Sequence, residues 1–439
     1  MKSNIRKAVS LVFLFENSVF SIVRQNYLKA FPGYTSFPGG KVDHSDQGDS
    51  LEDTLMNTII REASEELNIN IPSAIESGAI TDIRQFAKAT SPDFNPHRYE
   101  VYFYLIKCNA HLTFDVDESE AREFSWLSAS KVVGDYYQGK NLMVKPVLDV
   151  YKMIAKEGVN VEFLDFDQTR EVYDIPRIEN IHGVVQLMPE SNTVPPASRT
   201  NCFLIGDVEK IVIDPSPKNK VEYDNLCKVL GLFNIQQIFI THHHKDHHQF
   251  AADIARKFEL PILISQDSFE RINRIYGDNY FFEITVNIIR EGDVIGQWLK
   301  RDLVIHEIPG HDEGHLGLAP DTLDWFIVGD LFQGVGTVVV GGDEGDMHKY
   351  MRSLEKVINL APGSVIPSHG IPLGGTSILE RTYKHREMRE EQILDLFNKG
   401  YDLDRILTTI YFDIPEKILK YAKANIQSHL DKLKIDKKI

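Results

Sequence analysis

Five histidines and an aspartate fall within seven residues, 242–248, in the segment IFITHHHKDHHQ over 238–249. The segment is an apolar run that breaks abruptly into a polar turn. Along an extended chain, side chains two apart point the same way, so His242 and His244 share a side. Asp246 and His247 follow where a helix can begin. Imidazole nitrogens and a carboxylate are donors that zinc, manganese or iron accept. The ordinary alternative is a surface turn that happens to be rich in histidine. Three further residues argue against it: His311 in IPGHDEGH, Asp330 in FIVGD and His369 in VIPSHG. Each follows an apolar run and a short turn. Strand, turn, then ligand is how α/β folds carry chemistry at one edge of a sheet.

A second constellation lies upstream, in FPGGKVDHSDQGDSLEDTLMNTIIREASEELNIN over 37–70. The spacing predicts a helix over 54–67, with Met56, Ile60, Ala63 and Leu67 on one stripe. Glu62, Glu65 and Glu66 then share a separate face at i, i+3 and i+4. Three carboxylates on one patch repel unless a cation neutralises them, which makes the patch a natural Mg²⁺ site. A solvated acidic face is the common alternative, and the glycine loop before the helix favours the metal reading.

The elements that must position these residues change character along the chain. Residues 9–15 and 19–23 read as a hairpin with its turn at 16–18. Residues 99–106 read as a strand, 145–156 as a closing helix and 157–180 as a linker. From 181 short β-rich runs appear at 183–188, 201–205, 210–213, 235–240, 262–264, 304–308 and 325–328. Helical stretches at 221–231 and 248–257 lie between them, and such alternation predicts α/β layers. After Gly375 three amphipathic helices are expected, at 377–398, 403–411 and 415–435.

The bulk numbers suit a multidomain globular protein. Its 439 residues carry 42% hydrophobic and 26% charged residues and a formal charge of −16, which argues against non-specific attraction to nucleic acid or anionic membrane. From Lys417 onward seven Lys and two Asp give a local +5, read first as a solvated helix face and second as a polyanion contact. Three sparse cysteines, Cys108, Cys202 and Cys227, form no disulfide or metal spacing, which points to a reducing compartment. No run approaches the ~18 apolar residues of a membrane span. A cytoplasmic protein without membrane attachment is expected.

HHHKDH at 242–247 resembles the H-x-H-x-D-H signature of the metallo-β-lactamase superfamily. The resemblance implies that His242, His244 and His311 hold one metal. It assigns Asp246, His247 and His369 to a second, with Asp330 bridging, and makes Asp246 a candidate catalytic residue. Asp214 in IVIDPSP would orient ligands from behind, and His315 resembles the family's supporting histidine, while His243 and His248 are given no ligand role. The implied cofactors are two Zn²⁺, or Mn or Fe. A water shared by two such cations loses its proton near neutral pH, and the hydroxide attacks phosphorus or carbonyl carbon. The segments SRTNCFLIGDVEKIVIDPSP and GDMHKYMRSLEKVI and the tail from Tyr401 resemble the β-lactamase-like endoribonuclease branch, which ends in a small winged-helix domain. That branch implies cleavage of single-stranded RNA.

Arg61, Glu62, Glu65 and Glu66 resemble the R-E-x-x-E-E ending of the Nudix box, and EAREFSWLSA over 120–129 is also Nudix-like. The family implies Mg²⁺- or Mn²⁺-assisted attack of water on a nucleoside-diphosphate-linked substrate, with Glu62, Glu65 and Glu66 as ligands and candidate catalytic groups. ATSPDFNPHRYEVYFYLI resembles the branch that includes CoA diphosphatases. Twenty residues separate Gly40 from Arg61 (61 − 40 − 1), where the standard box has thirteen. Asp53 stands near the place of a box glutamate, with Glu52 one off. Asn68 replaces the final glycine, and an Asn tolerates a left-handed helix end. Glu100 reads first as a structural strand residue and second as a further carboxylate of the site.

The expected architecture is therefore α/β and α+β multidomain. A Nudix α/β/α sandwich occupies 1–156 and a linker 157–180. A metallo-β-lactamase αββα sandwich follows at 181–375, then a small helical winged-helix-like domain at 376–439. The expected activity is metal-dependent hydrolysis of RNA by the second domain and of a nucleotide diphosphate or CoA-type small molecule by the first. One alternative is a thioester hydrolase of the glyoxalase II type paired with a CoA-directed Nudix domain. Another is a Nudix part that senses nucleotide without catalysis.

Overall fold

The computed structural model describes residues 5–92, 98–167 and 175–439. The CoA-branch resemblance falls partly on 93–97 and the expected linker partly on 168–174, both outside the described residues. Two compact units result, 5–167 with 178–182 and 175–177 with 183–439.

The first unit centres on the strand Arg6–Phe15, which pairs parallel with Tyr99–Cys108 and antiparallel with Ser18–Arg24. Ile80–Thr90 and Leu164–Asp167 extend the sheet on one side, and Thr35–Ser36 and Ala121–Ser128 both pair with Ser18–Arg24. Val9, Leu11 and Phe13 pack with the helix Leu51–Leu67, while Val12 and Leu14 pack with Ala129–Tyr137 and Lys145–Glu157 on the opposite face. Burial on both faces is why this strand is almost continuously apolar instead of alternating. Ser18 already pairs with Phe15, and Glu16 takes a φ of 53°, so the hairpin turn has two residues, one fewer than expected.

The glutamate helix starts three residues before the expected 54. Ser50 accepts from the Asp53 N–H, and the Asp53 carboxylate accepts from the Ser50 N–H at 3.0 Å. This reciprocal capping satisfies two amide donors that the first turn leaves free. Asp53 is thus engaged in the cap. At the other end Asn68 closes the helix with a φ of 50°. The buried stripe is Leu55, Ile59, Ala63 and Leu67, so the expected Met56 and Ile60 lie at its partly buried edge. Both sets fit an arc of ~100°, and only the facing sheet decides the rotation.

The second unit holds two sheets. One orders Val286–Ile288, Ile262–Ile264, Ile235–Phe239, Lys210–Ile213, Cys202–Ile205 and Val184–Leu187. The other orders Val294–Trp298, Arg301–Glu307, Leu316–Pro320, Phe326–Gly329, Ser364–Pro367 and Leu373–Gly374. Helices Lys220–Leu230, Ala251–Phe258 and Gln266–Tyr276 alternate with the first set of strands. Met347–Leu360 covers the second, where Tyr350, Leu354 and Val357 pack with Phe326, Val328 and Val365. The layers are those of an αββα sandwich. The expected helix 248–257 is instead two, Lys245–His248 and Ala251–Phe258, because Phe250 adopts a φ of 65° between them.

Past Gly375 come Ser377–Asn398, Leu403–Ile410 and Glu416–Ile435, packed around Ile393, Ile406, Ile426 and Leu433. Among the described residues no strand follows Leu373–Gly374, so the expected wing is not seen. In the last helix the buried Ala422, Ile426, Leu430 and Leu433 recur every three or four positions, which suits a helix. Four of the seven tail lysines are ion-paired: Lys423 with Asp404, Lys432 and Lys438 with Glu390, and Lys434 with Asp431. Among the described residues no helix is long and apolar enough to cross a membrane.

The helix rotation can be tested. Ile59 is fully buried, so Ile59→Ala should destabilise the first unit by about 2–5 kcal/mol. Met56→Ala should cost clearly less. Urea unfolding of both variants checks this, and equal losses would contradict the rotation.

Candidate functional site

The second unit's candidate residues sit at strand ends. The strand Ile235–Phe239 runs into His242, His243 and His244, and the turn Lys245–His248 carries Asp246 and His247. Asp214 follows Lys210–Ile213, His311 follows Arg301–Glu307, Asp330 follows Phe326–Gly329 and His369 follows Ser364–Pro367. The Leu316 N–H bonds to the Thr241 carbonyl at 2.9 Å, joining the two sheets beside the histidines. Gly329, with a φ of 54°, lets His315 close on the turn that carries Asp330, since a Cβ there would lie 2.1 Å from the His315 Nε2.

These side chains converge. Ligand-type atoms of His242, His244 and His311 lie within 4.8 Å of one another, as do those of His242, His247 and Asp330 and those of Asp246, His247 and His369. The inward nitrogens are 2.9 Å apart for His242 Nε2 and His244 Nδ1, and 3.0 Å for His311 Nε2 and His244 Nδ1. Asp330 lies between the groups, 3.6 Å from His311, 3.7 Å from His247 and 3.4 Å from His369.

Each ring is held from behind. His311 Nδ1 donates to the Val339 carbonyl at 2.8 Å and His369 Nδ1 to the Arg199 carbonyl at 2.9 Å. His247 Nδ1 donates to Asp214 at 2.8 Å and His244 Nε2 to Glu344 at 2.8 Å. Asp214 also accepts from the Thr241 N–H and hydroxyl, and the Thr241 oxygen lies 3.1 Å from His242 Nδ1. A carbonyl or carboxylate can only accept, so the outer nitrogens of His244, His247, His311 and His369 carry a proton and the inner nitrogens are left facing the cluster. Such outer partners fix ring orientation in metal sites.

The electrostatics fit a cation. Burial holds His242 well below the usual histidine range, and burial with His244 beside it takes His311 down to about 4. Both rings are thus neutral donors. For Asp330 burial favours the neutral acid, but His369 and His247 outweigh it and keep the carboxylate charged. His247 Nε2, His369 Nε2 and Asp330 Oδ1 are buried without a hydrogen-bond partner. Buried, unpartnered nitrogen and carboxylate atoms aimed at one point are what divalent ions require.

Sequence reasoning missed Asp312 and Glu344. His243 faces both, with Nδ1 2.5 Å from Asp312 and Nε2 3.2 Å from Glu344. Burial opposes its charge, yet the two carboxylates raise its pKa to about 9. His243, His244, Asp312 and Glu344 also group within 4.8 Å. The only signal for Glu344 was the glycine-rich acidic run GGDEGD over 341–346. His248 serves the core, its Nδ1 2.9 Å from the Tyr280 hydroxyl.

In the first unit the three glutamates divide. Glu62 is buried, Glu66 is partly buried and accepts from the Gly39 N–H at 2.9 Å, and Glu65 is exposed. Burial raises Glu62, and burial takes Glu66 up to about 8. Arg61 ties the patch together, 2.9 Å from Glu62, 2.8 Å from Glu65 and 2.9 Å from Asp46. The arc they share straddles the edge between the sheet and solvent, so the three do not face one way. Among the described residues they do not gather as closely as the histidine groups do. Asp46, also missed, comes from the short turn His44–Asp46, which takes up part of the long spacing between Gly40 and Arg61. Glu100 bonds Lys88 and Tyr102 within its sheet.

Both parts now have a class. Residues 4–145 match the NUDIX domain and residues 195–369 the metallo-beta-lactamase superfamily. The chain is a hydrolase that joins a NUDIX domain to a metallo-beta-lactamase domain, and both imply bound divalent metal. It is 29% identical over 248 residues to a beta-lactamase-like protein 2 homolog of Caenorhabditis elegans, covering 53% of this chain and 78% of that protein. It is 30% identical over 161 residues to a hydroxyacylglutathione hydrolase of Wigglesworthia glossinidia brevipalpis, covering 36% of this chain and 56% of that protein. A beta-lactamase domain protein from Burkholderia ambifaria shares the fold, with a TM-score of 0.51, 16% identity, and coverage of 60% of this chain and 89% of that one.

His243 yields a pH prediction. Its folded pKa of about 9 lies above its ordinary 6.5. The stabilisation is therefore complete below pH 6.5 and lost as pH rises to about 9. Metal-free protein should lose thermal stability across that interval, and His243→Gln should flatten the slope. An unchanged slope in the variant would assign the effect elsewhere.

Proposed function

We propose that the second unit is a two-metal phosphodiesterase acting on single-stranded RNA. The observation that carries the metal chemistry is the convergence of five inward-facing histidine nitrogens with Asp246 and Asp330, every outer nitrogen being engaged. His242, His244 and His311 would hold one cation, Asp246, His247 and His369 another, with Asp330 between them. Divalent cations there, Zn²⁺ or else Mn or Fe, supply the Lewis acidity that brings a water's pKa toward neutrality and steadies a developing oxyanion. Asp246, with 15% of its side chain exposed against 5% for Asp330, is the more open carboxylate and the one placed to take a proton from solvent-side water. Thr200 donates to its Oδ2 at 3.2 Å and holds it in place.

RNA as the substrate rests on the resemblance of SRTNCFLIGDVEKIVIDPSP, GDMHKYMRSLEKVI and the tail from Tyr401 to the endoribonuclease branch. A thioester is the second reading, and the hydroxyacylglutathione hydrolase named among the relatives favours it.

The first unit is proposed as a Mg²⁺- or Mn²⁺-dependent diphosphatase for a nucleoside-diphosphate-linked or CoA-type small molecule. Glu62, Glu65 and Glu66 would bind the metal, whose charge would offset the burial that raises the Glu62 and Glu66 carboxyls. A nucleotide-sensing module without turnover is the alternative.

A panel of single-stranded RNA, acyl-glutathione thioester, nucleoside diphosphate derivatives and acyl-CoA separates these readings. His244→Ala and Asp330→Ala should each abolish RNA cleavage and leave diphosphatase activity intact. Glu66→Gln and Glu65→Gln should do the reverse. Thioester turnover without RNA cleavage would replace the first reading by the second. Nucleotide binding without turnover would make the first unit a sensor.

A further inference from the structure

The loop 338–347 touches the proposed metal centre on one side and the C-terminal helices on the other. Toward the centre, the Val339 carbonyl accepts from His311 Nδ1, and Glu344 bridges His244 Nε2 at 2.8 Å and His243 Nε2 at 3.2 Å. Toward the helices, three buried polar side chains hold its backbone. Arg386 of Ser377–Asn398 donates to the Val338 carbonyl at 2.6 Å. From Glu416–Ile435, Asn425 accepts from the Val340 N–H at 2.8 Å, and the Ser428 hydroxyl accepts from the Met347 N–H at 2.9 Å. The approach is close, since a Cβ at Gly341 would lie 2.4 Å from the Ala424 carbonyl oxygen. Arg386, Asn425 and Ser428 are 4%, 8% and 6% exposed, so the clamp is dry.

The support is one-sided. His247 and His369 are held by Asp214 and the Arg199 carbonyl, and Asp246 by Thr200. None of these partners comes from the loop. Of the residues assigned to the first cation, His244 and His311 depend on it, while His242 is held through Thr241.

We propose that Glu344 is a positioning residue for the first metal, and that the C-terminal helices, through Arg386, Asn425 and Ser428, set the affinity of that half of the centre alone. The inference rests on the two-metal reading above. It gives the helical tail a task at the active centre.

The test is stepwise Zn²⁺ binding to full-length, chelator-stripped protein, measured by competition with a chromophoric chelator. His311→Ala and His369→Ala assign the two steps. Glu344→Gln should weaken the first-metal step by about 10–100-fold, as loss of an outer partner does. It should leave the His369 step unchanged. Asn425→Ala should act in the same direction, and Lys423→Ala, altering the same helix at its contact with Asp404, should have no effect. A purely structural lesion would lower both steps together. The Glu344 side chain is 36% exposed, so Glu344→Gln is the variant that decides should Asn425→Ala not fold. Unchanged affinity in Glu344→Gln, or equal weakening of both steps, overturns the inference while the two-metal reading stands. Failure of the wild type to bind two Zn²⁺ overturns both.

Discussion

The outward hydrogen bonds of the five converging histidines are the constraint on which the second unit depends. A neutral imidazole offers one donor and one acceptor, and a metal site needs every acceptor turned inward. Here the choice is made by groups that can only accept: the Val339 and Arg199 carbonyls and the Asp214 and Glu344 carboxylates. These acceptors come from loops after different strands, so both sheets must be in place before the rings are set.

Asp214 shows how far one such acceptor reaches. It holds His247 directly and His242 through Thr241, one residue from each proposed metal. To do so it takes a φ of 49°, a region that residues other than glycine rarely occupy. Strain of this kind persists where surrounding bonds over-determine it. Glu344 is the counterpart on the other sheet, but its loop is secured by helices that lie far along the chain.

The first unit works under a different constraint. Its carboxylates stand at the edge of a helix whose other face is core, so Glu62 and Glu66 are desolvated while Glu65 stays in water. Arg61 offsets the crowded charge by contacting Glu62, Glu65 and Asp46 together. Gly40 makes the approach possible, because a Cβ there would lie 2.1 Å from a Glu62 carboxylate oxygen. The glycine loop noted in the sequence thus shapes the site as well as preceding it.

What the sequence determined by itself was local. Apolar runs ending in His, Asp or Gly turns identified the strands that carry His242, His311, Asp330 and His369, because short continuous apolar runs and turn chemistry are written in adjacent residues. The tail helices were legible for the same reason, and 377–398 coincides with Ser377–Asn398. The tertiary structure decided what depends on rotation or on distant partners. A stripe through Met56 and one through Leu55 look alike until a sheet selects between them. Asp312 and Glu344 look like ordinary loop acids until folding sets them against His243. Asn425 and Ser428 read as polar helix positions, and only the backbone of a loop some 80 residues earlier, at Val340 and Met347, gives them a reason to be buried. Ligand types and order are encoded along the chain, whereas the groups that orient them are chosen by contacts between segments that the sequence keeps apart.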